Sequence, residues 1–537
     1  MKKSMKKLSI VFLAACVALS AAACGGGQTE SSGTAGSTAS GSGTASENKP
    51  ITLTAFACEG PYTKGDFNDL AIWKEVEKKS GIKVNFEAVP SASFTEKVGL
   101  KFASNDLPDM FFKCPLQTAD ITKYAAEGQL VPIDGYLEKD APNFTSYMKK
   151  DASIEKNLKM ADGHIYGFTN LVTAAPSRLN PKLFYNETWL KAQGLTVPAT
   201  TDELYTVLKA MKTYDYNKNG KADEIPLTFD SQDNILLAFM GSFGLMTRGS
   251  AQQTWDIDPK TDKLRFVKTS DNYKQLLQYL NKLYKEKLVD QEVFSLGTDG
   301  IAKVSAKAAQ NIIGMAFIYN TNYLGDAAKD FSYFKQPFKG PNGDQAFSAR
   351  TIPVVGQNTF ITKVNKHPEE TVKWVDYFYS EEGITAYYMG IEGKTYQMVN
   401  GVPQYTDYVT KNPDGLNMEE ALGTYVCWSG GGNPSVADDI HFGNHLIPKT
   451  TVDAASSLMN YTPKEIWGSF VYSTEDNDRL SVLQTDIDTY VKDMTAKFIT
   501  GDVGFDKWEE YKAKIDGMGL KEYTEITQRA LDAYNSK

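Results

Sequence analysis

The sequence predicts an α/β fold of two lobes, each a mostly parallel sheet flanked by helices, with several chain crossovers between them. Three observations carry this. Strand and helix patterns alternate from residue 51 to residue 112. Strand patterns return near residues 311–318 and 359–362, after a long helical stretch. Helical patterns then dominate the last eighty or so residues. Alternating strands and helices are the grammar of a parallel sheet, and the later return of each type suits two lobes. The expected division places residues 51–175 and 310–410 in an N-terminal lobe. Residues 176–309 and 411–537 form a helix-rich C-terminal lobe.

Ile51-Thr52-Leu53-Thr54-Ala55-Phe56 opens the body as a strand. A helix follows with Leu70, Trp73 and Val76 on one stripe, and residues 83–89 then alternate apolar and polar side chains. Ser93-Phe94-Thr95-Glu96 has capping-box spacing and predicts the start of the next helix. Met110-Phe111-Phe112 is a short buried strand. In such sheets ligands sit beyond the carboxyl ends of the strands, here residues 57–63 and 113–117. Thr200-Thr201-Asp202-Glu203 is a second capping box, and Leu204, Val207, Leu208 and Met211 continue it as a helical stripe. Pro368 and Glu369 open a helix carrying Val372, Val375 and Phe378.

Ahead of this body lies an export signal. Four lysines precede an apolar run that ends in small residues at position 23, which describes a signal peptide over residues 1–23. Ala21-Ala22-Ala23-Cys24 followed by three glycines resembles a bacterial lipobox, whose cysteine is acylated. Ala21 departs from the usual Leu of that pattern. Leu13-Ala14-Ala15-Cys16 matches the detail better but leaves too few apolar residues before the cut, so Cys24 is the expected lipidation site. Residues 25–49 are almost entirely Gly, Ser, Thr and Ala, and residues 24–50 read as a lipidated cysteine with a flexible linker. Its coil span is roughly 25–30 Å. The leader takes four of the 57 basic residues and none of the 66 acidic ones, so the mature chain carries −13. That charge argues against a nucleic-acid partner. Cys58, Cys114 and Cys427 remain in the body, an odd count that allows one disulfide at most.

One motif carries metal chemistry. In Asp215-Tyr216-Asn217-Lys218-Asn219-Gly220-Lys221-Ala222-Asp223-Glu224-Ile225-Pro226, oxygen side chains stand at loop positions 1, 3 and 5, Gly at 6 and an acid at 9. This is the first part of an EF-hand calcium loop. Position 12 is Pro226 where a bidentate Glu belongs, so Asp223 or Glu224 would complete the shell. The role expected of Ca2+ is structural. The alternative is a helix-capping Asn/Gly turn that needs no metal.

With this loop on the page, a resemblance follows. Its Asp-Glu-Ile-Pro ending is similar to that of family 1 lipoprotein solute-binding proteins of ABC importers, including alginate-oligosaccharide binders. So are Ala103-Ser104-Asn105-Asp106-Leu107-Pro108-Asp109, Asp162-Gly163-His164-Ile165-Tyr166-Gly167 and Trp189-Leu190-Lys191-Ala192-Gln193-Gly194-Leu195. His367-Pro368-Glu369-Glu370 and Gly390-Ile391-Glu392-Gly393-Lys394-Thr395-Tyr396 continue the series. The resemblance implies a two-lobed periplasmic-binding-protein-like fold that closes over a ligand. It also implies Asp215, Asn217, Asn219, Lys221, Asp223 and Glu224 as calcium ligands. The chain would be a lipid-anchored receptor on the extracytoplasmic face of the cell membrane, delivering an oligosaccharide to ABC permease subunits.

Sugar recognition needs aromatic faces for pyranose C–H groups and planar polar groups for hydroxyls. Trp428, in a glycine-rich loop, fits the first need; its alternative is a Trp wedged under that loop. Tyr319 and Asn320 end a strand, Glu59 and Tyr62 follow the first strand, and Lys113 follows the third. Arg178 and Arg350 lie in crossover stretches, as ligand contacts or as interlobe ion pairs. Trp73 and Trp374 fall on helical stripes and belong to the core. Rival functions are an extracellular carbohydrate-active enzyme and a ligand-presenting sensor or adhesin lipoprotein. No G-x-S-x-G elbow or H-E-x-x-H helix supports catalysis. His441 and His445 have the spacing of a metal pair if helical, which Gly443 disfavours.

Overall fold

A computed structural model describes residues 51–430, 432–443 and 447–536, and Pro50–Lys537 forms one compact unit. The leader, Cys16, Cys24, the linker and His445 lie outside the described residues. In chain order the strands are β1 (Ile51–Glu59), β2 (Ile82–Pro90), β3 (Met110–Phe112), β4 (Gly167–Val172), β5 (Lys182–Asn186), β6 (Ile225–Phe229) and β7 (Trp255–Asp258). They continue as β8 (Lys263–Phe266), β9 (Ile313–Ile318), β10 (Phe331–Tyr333), β11 (Val354–Ile361), β12 (Tyr396–Val399), β13 (Val402–Tyr405) and β14 (Val436–Ala437).

Six strands form the first sheet, in the order β14-β4-β11-β3-β1-β2. β1 pairs parallel with both β2 and β3, as the alternating pattern predicts. The helices Ala71–Ser80 and Ser91–Ser104 link these strands, and each stops at a left-handed residue, Gly81 (φ 69°) and Asn105 (φ 56°). β1 has two buried faces. Leu53, Ala55 and Ala57 join the core of Trp73, Phe112 and Trp374, whereas Phe56 and Cys58 join Phe94, Phe102 and Phe111 on the other side. This period of two is what a strand covered on both faces must show. The Ser93 capping box does not form. The helix begins at Ser91, directly after Pro90, and Ser93 Oγ donates back to the Pro90 carbonyl at 3.3 Å.

The second sheet has the order β10-β5-β9-β6. The helix Thr201–Lys212 packs on it through Leu204, Val207, Leu208 and Met211, and its Thr200–Glu203 capping box is complete. The helices Asp271–Lys285 and Thr474–Thr500 thicken this core. Tyr273, Leu276, Leu277, Leu280 and Leu283 are all fully buried. The lobe boundaries differ from those expected. β9 and β10 belong to the second sheet, although residues 310–410 were assigned to the first lobe. Leu422, Val426, Cys427 and Val436 pack with β1, although residues 411–537 are expected in the second. Pairing between distant strands leaves no trace in local periodicity.

The chain passes between the sheets three times. Residues 173–181 join β4 to β5, residues 334–353 join β10 to β11, and the segment after β14 leads to the helix Lys449–Leu458, which packs beside β5 and β10. β4 ends, and β5 begins, at this junction. Because β5 is antiparallel to β9 and β10, the carboxyl ends of β9, β10 and β6 also reach it. The carboxyl edges of both sheets therefore meet the same region.

Lys182 anchors the first crossover. It is fully buried, and its Nζ donates to the carbonyls of Pro176 (2.8 Å) and Leu179 (2.7 Å). Burial pushes its titration down to about 7. Two acceptors need two hydrogens, which a neutral amine supplies. The three described cysteines are separate buried thiols, and burial raises each of them above the ordinary thiol range.

Two outcomes follow. Leu280→Ala leaves a cavity in the second-lobe core and is expected to cost about 2–5 kcal/mol, measured by denaturant unfolding. For Lys182, an unfolded lysine holds its proton up to roughly pH 10.4, while the folded one releases it near 7. The unfolded state thus binds more protons between these values, so stability from this group rises with pH across the window. The stability of the parent minus that of Lys182→Met should grow from pH 7 to about pH 10. Parallel pH curves for the two proteins would reject this assignment.

Candidate functional site

On the first lobe, the sheet order reverses between β1 and β3: β2 lies on one side of β1 and β3 on the other. A crevice at such a switch point is the usual ligand position of an α/β sheet. Glu59, at the end of β1, is half-exposed and its carboxylate has no partner among the described residues. Tyr62 is half-exposed three residues on. The loop bearing Trp428 lies directly over these ends. Of the seven tryptophans, the other six are buried and Trp428 alone is partly exposed. Trp255, Trp467 and Trp508 are core residues, as are Trp73 and Trp374.

The indole of Trp428 sits against two glycines. A Cβ at Gly60 would lie 2.4 Å from Trp428 Cβ, and one at Gly430 would lie 2.2 Å from its Cζ2. Only glycine allows so close an approach. The indole Nε1 donates to Glu419 Oε1 at 3.1 Å. Lys113 belongs to this assembly but not as expected. It is 1% exposed, and its Nζ donates to the carbonyls of Trp428 and Gly430 and to the Tyr387 hydroxyl. With three hydrogens on three acceptors, it has none left for a ligand.

On the second lobe, Tyr319 follows β9 and Asp230 follows β6. Tyr319 is half-buried; its hydroxyl lies 3.0 Å from Ser177 Oγ on the first crossover, and its ring lies 5.6 Å from Lys182 Nζ. The sequence pattern does not single out Asp230, although it follows β6 directly as Tyr319 follows β9. Burial raises its titration, opposed by the Asn234 amide (2.6 Å) and the Tyr319 backbone N–H. Asn320 is not a free contact: it is buried, and its Oδ1 accepts the Asn322 N–H at 2.8 Å as a helix cap.

Arg178 and Arg350 lie on the paired crossovers, where Leu179 and Arg350 form an antiparallel bridge. Arg178 Nε donates to the Thr351 carbonyl at 3.1 Å, and Arg350 Nη1 to Thr462 Oγ1 at 2.8 Å. Burial, and then Arg350, lower the Arg178 titration. Neither is ion-paired to a described carboxylate, so the interlobe ion-pair alternative fails. His441 is buried, with Nδ1 2.9 Å from Asp438 and Nε2 2.8 Å from Thr385. Both ring nitrogens are thus engaged within the first lobe.

The oxygen-rich loop joins the helix Thr201–Lys212 to β6. Gly220 (φ 76°) and Lys218 (φ 57°) make its sharp turn. Asp215 accepts the N–H groups of Asn219 (3.1 Å) and Gly220 (2.8 Å), Asn217 also accepts from Asn219, and Asn219 accepts from Lys221 (2.7 Å). Asn219 donates to Asp223 at 3.1 Å, and buried Glu224 accepts the Tyr216 N–H at 3.0 Å. Tyr216 stacks on Trp189 with centroids 3.7 Å apart, pinning the loop to the second-lobe core. These hard oxygen donors suit calcium in kind. Their acids are not gathered into one cluster, and no group of three His, Cys, Asp or Glu placed to hold a metal occurs among the described residues.

Comparison with known proteins identifies the fold and the family. The chain is 27% identical over 505 residues to the fructooligosaccharide ABC transporter substrate-binding protein FusA of Streptococcus pneumoniae, covering 90% of this chain and 91% of that protein. It is 24% identical over 468 residues to lipoprotein LipO of Bacillus subtilis, covering 83% and 86%. Among solved structures, FusA in complex with kestose superposes with a TM-score of 0.72 at 24% identity, covering 90% of this chain and 99% of that one. FusA has also been solved as an EF-hand mutant with fructo-nystose (TM-score 0.71). The alginate-binding protein AlgQ2 without calcium ion gives a TM-score of 0.70 at 22% identity, covering 90% and 98%. The description "bacterial extracellular solute-binding protein" matches residues 64–385, more than half the sequence, and the chain belongs to that family.

Proposed function

We propose that this protein captures an extracellular oligosaccharide between the carboxyl edges of its two sheets and delivers it to an ABC permease. The observation that carries this is Trp428. A tryptophan left partly open, when the other six are buried, stands at the switch point of the first sheet beside the unpartnered Glu59. An indole face and nearby carboxylates are what pyranose C–H faces and hydroxyls require. Tyr319 and Asp230 offer the same pairing on the other sheet, with Tyr62, Arg178 and Arg350 as further contacts. The oligosaccharide ligands of FusA support a sugar. Lipidation at Cys24 and tethering by the linker complete the reading: a held receptor keeps its cargo at high local concentration beside one membrane partner.

The loop at Asp215 is proposed to take a structural Ca2+ through Asp215, Asn217, Asn219, Asp223 and Glu224, with the Lys221 carbonyl. Bound there, the ion would offset two of the three acid charges and brace the start of β6, the strand that Asp230 follows. The neighbours solved as an EF-hand mutant and without calcium support this loop as a metal site.

Thermal shift over a panel of oligosaccharides, kestose included, should find ligands that raise the melting temperature by mass action. Trp428→Ala should weaken the best of them roughly tenfold or more, about 1.4 kcal/mol. No shift across the panel would sink the sugar assignment, and turnover of any member would sink binding without catalysis. Separately, excess chelator should lower the melting temperature and added calcium should restore it. Unchanged melting in chelator would remove the metal.

A further inference from the structure

Lys113 presents an unusual combination. Its backbone is left-handed (φ 54°), a conformation costly for any residue with a Cβ and normally left to Gly or Asn. The residue is nevertheless lysine, and its ammonium is buried without a carboxylate within ion-pair distance among the described residues. Burying a cation is unfavourable unless each hydrogen finds a partner. Here each one does. Two go to carbonyls of the Trp428 loop, at Trp428 itself and at Gly430 (2.9 Å), and the third goes to Tyr387 Oη (3.2 Å) on the helix Glu381–Met389. Nζ also lies 5.8 Å from the Trp428 ring centroid and 5.9 Å from that of Tyr387.

We infer that Lys113 is the positioning residue of the ligand site, its buried ammonium fastening the Trp428 loop to the end of β3 so that the indole is preorganised before ligand arrives. This rests on the proposed role of Trp428 and deepens it. The loop has few other means of holding its shape. Gly430 has no side chain, and Gly432 adopts φ 78°. Glycine-rich backbone is entropically expensive to order. Nonetheless the space enclosed behind the loop, lined by Tyr62, Glu419, Leu422 and Cys427 among others, is only about 20 Å³, room for one water at most. One ammonium binding two loop carbonyls removes much of that freedom, and a loop ordered in advance need not be ordered by the sugar. Lys113 therefore acts on affinity without touching ligand, where the sequence alone suggested direct contact.

The test compares the full chain with Lys113→Met, which keeps the aliphatic stem and removes the donors. Backbone amides of residues 427–430 should exchange about tenfold faster in the variant, while those of β6 in the second lobe hold their rates. Acrylamide quenching assigned to Trp428, by difference from the same proteins carrying Trp428→Phe, should rise in parallel. Unchanged exchange and quenching would overturn the inference. If Lys113→Met does not fold, acetic anhydride labelling of the unmodified chain replaces it. Lys113 should react at least about tenfold more slowly than exposed lysines, and Gly430→Ala, which drives a methyl into the indole, should abolish that protection. Labelling of Lys113 at the surface rate would equally overturn the inference. Kestose, or the best oligosaccharide of the panel if kestose does not bind, separates this claim from the one beneath it. Lys113→Met should weaken it about tenfold. If Trp428→Ala leaves affinity intact while Lys113→Met still loosens the loop, the sugar platform falls and the fastening role stands.

Discussion

The two sheets hold one arrangement because the three crossovers hydrogen-bond to one another. The Asn180 N–H reaches the Ala349 carbonyl and the Thr351 N–H reaches that of Arg178, each at 3.0 Å. The Ala437 carbonyl, at the start of the third crossover, accepts from both Thr173 and Ala174 at 3.0 Å. Buried backbone must find such partners. Here the partners lie on separate passes of the chain, so satisfying them also fixes where the carboxyl edges of both sheets come together. Lys182 serves the same need from the side-chain direction, closing two further carbonyls of the first pass.

What the sequence made legible was local. The βαβ alternation through β3, the Thr200 capping box and the stripe from Leu204 to Met211 are short-range patterns, and each folds as read. The Ser93 box has the same spacing as the Thr200 box and fails, because the chain enters the helix at Pro90, three residues earlier. Lobe membership was misread for residues 313–333 and for much of 411–437. The pairing of β9 with β5 and β6, and the packing of Leu422 and Val426 on β1, join positions far apart in sequence.

The candidate site divides along the same line. Glu59, Tyr62 and Tyr319 are legible because each lies at, or within a few residues of, the carboxyl end of a strand, and strand ends can be read from periodicity. Asp230 obeys the same rule and was passed over, since Ile225–Phe229 was hidden behind the more conspicuous loop before it. Lys113 also follows a strand, yet its burial depends on a loop over three hundred residues away. Trp428 was legible as a candidate but not as the exception among seven tryptophans, because exposure is a property of the fold.

The three thiols near this site have a bearing on how the protein reaches its working form. A member of an extracellular family folds where oxidants are at hand, and cysteines able to pair wrongly would be a hazard there. Cys58, Cys114 and Cys427 are each sealed in the core and disfavoured as thiolate, the form that oxidises and exchanges. Once the fold has closed over them, these three thiols are shielded both from wrong pairing and from oxidation.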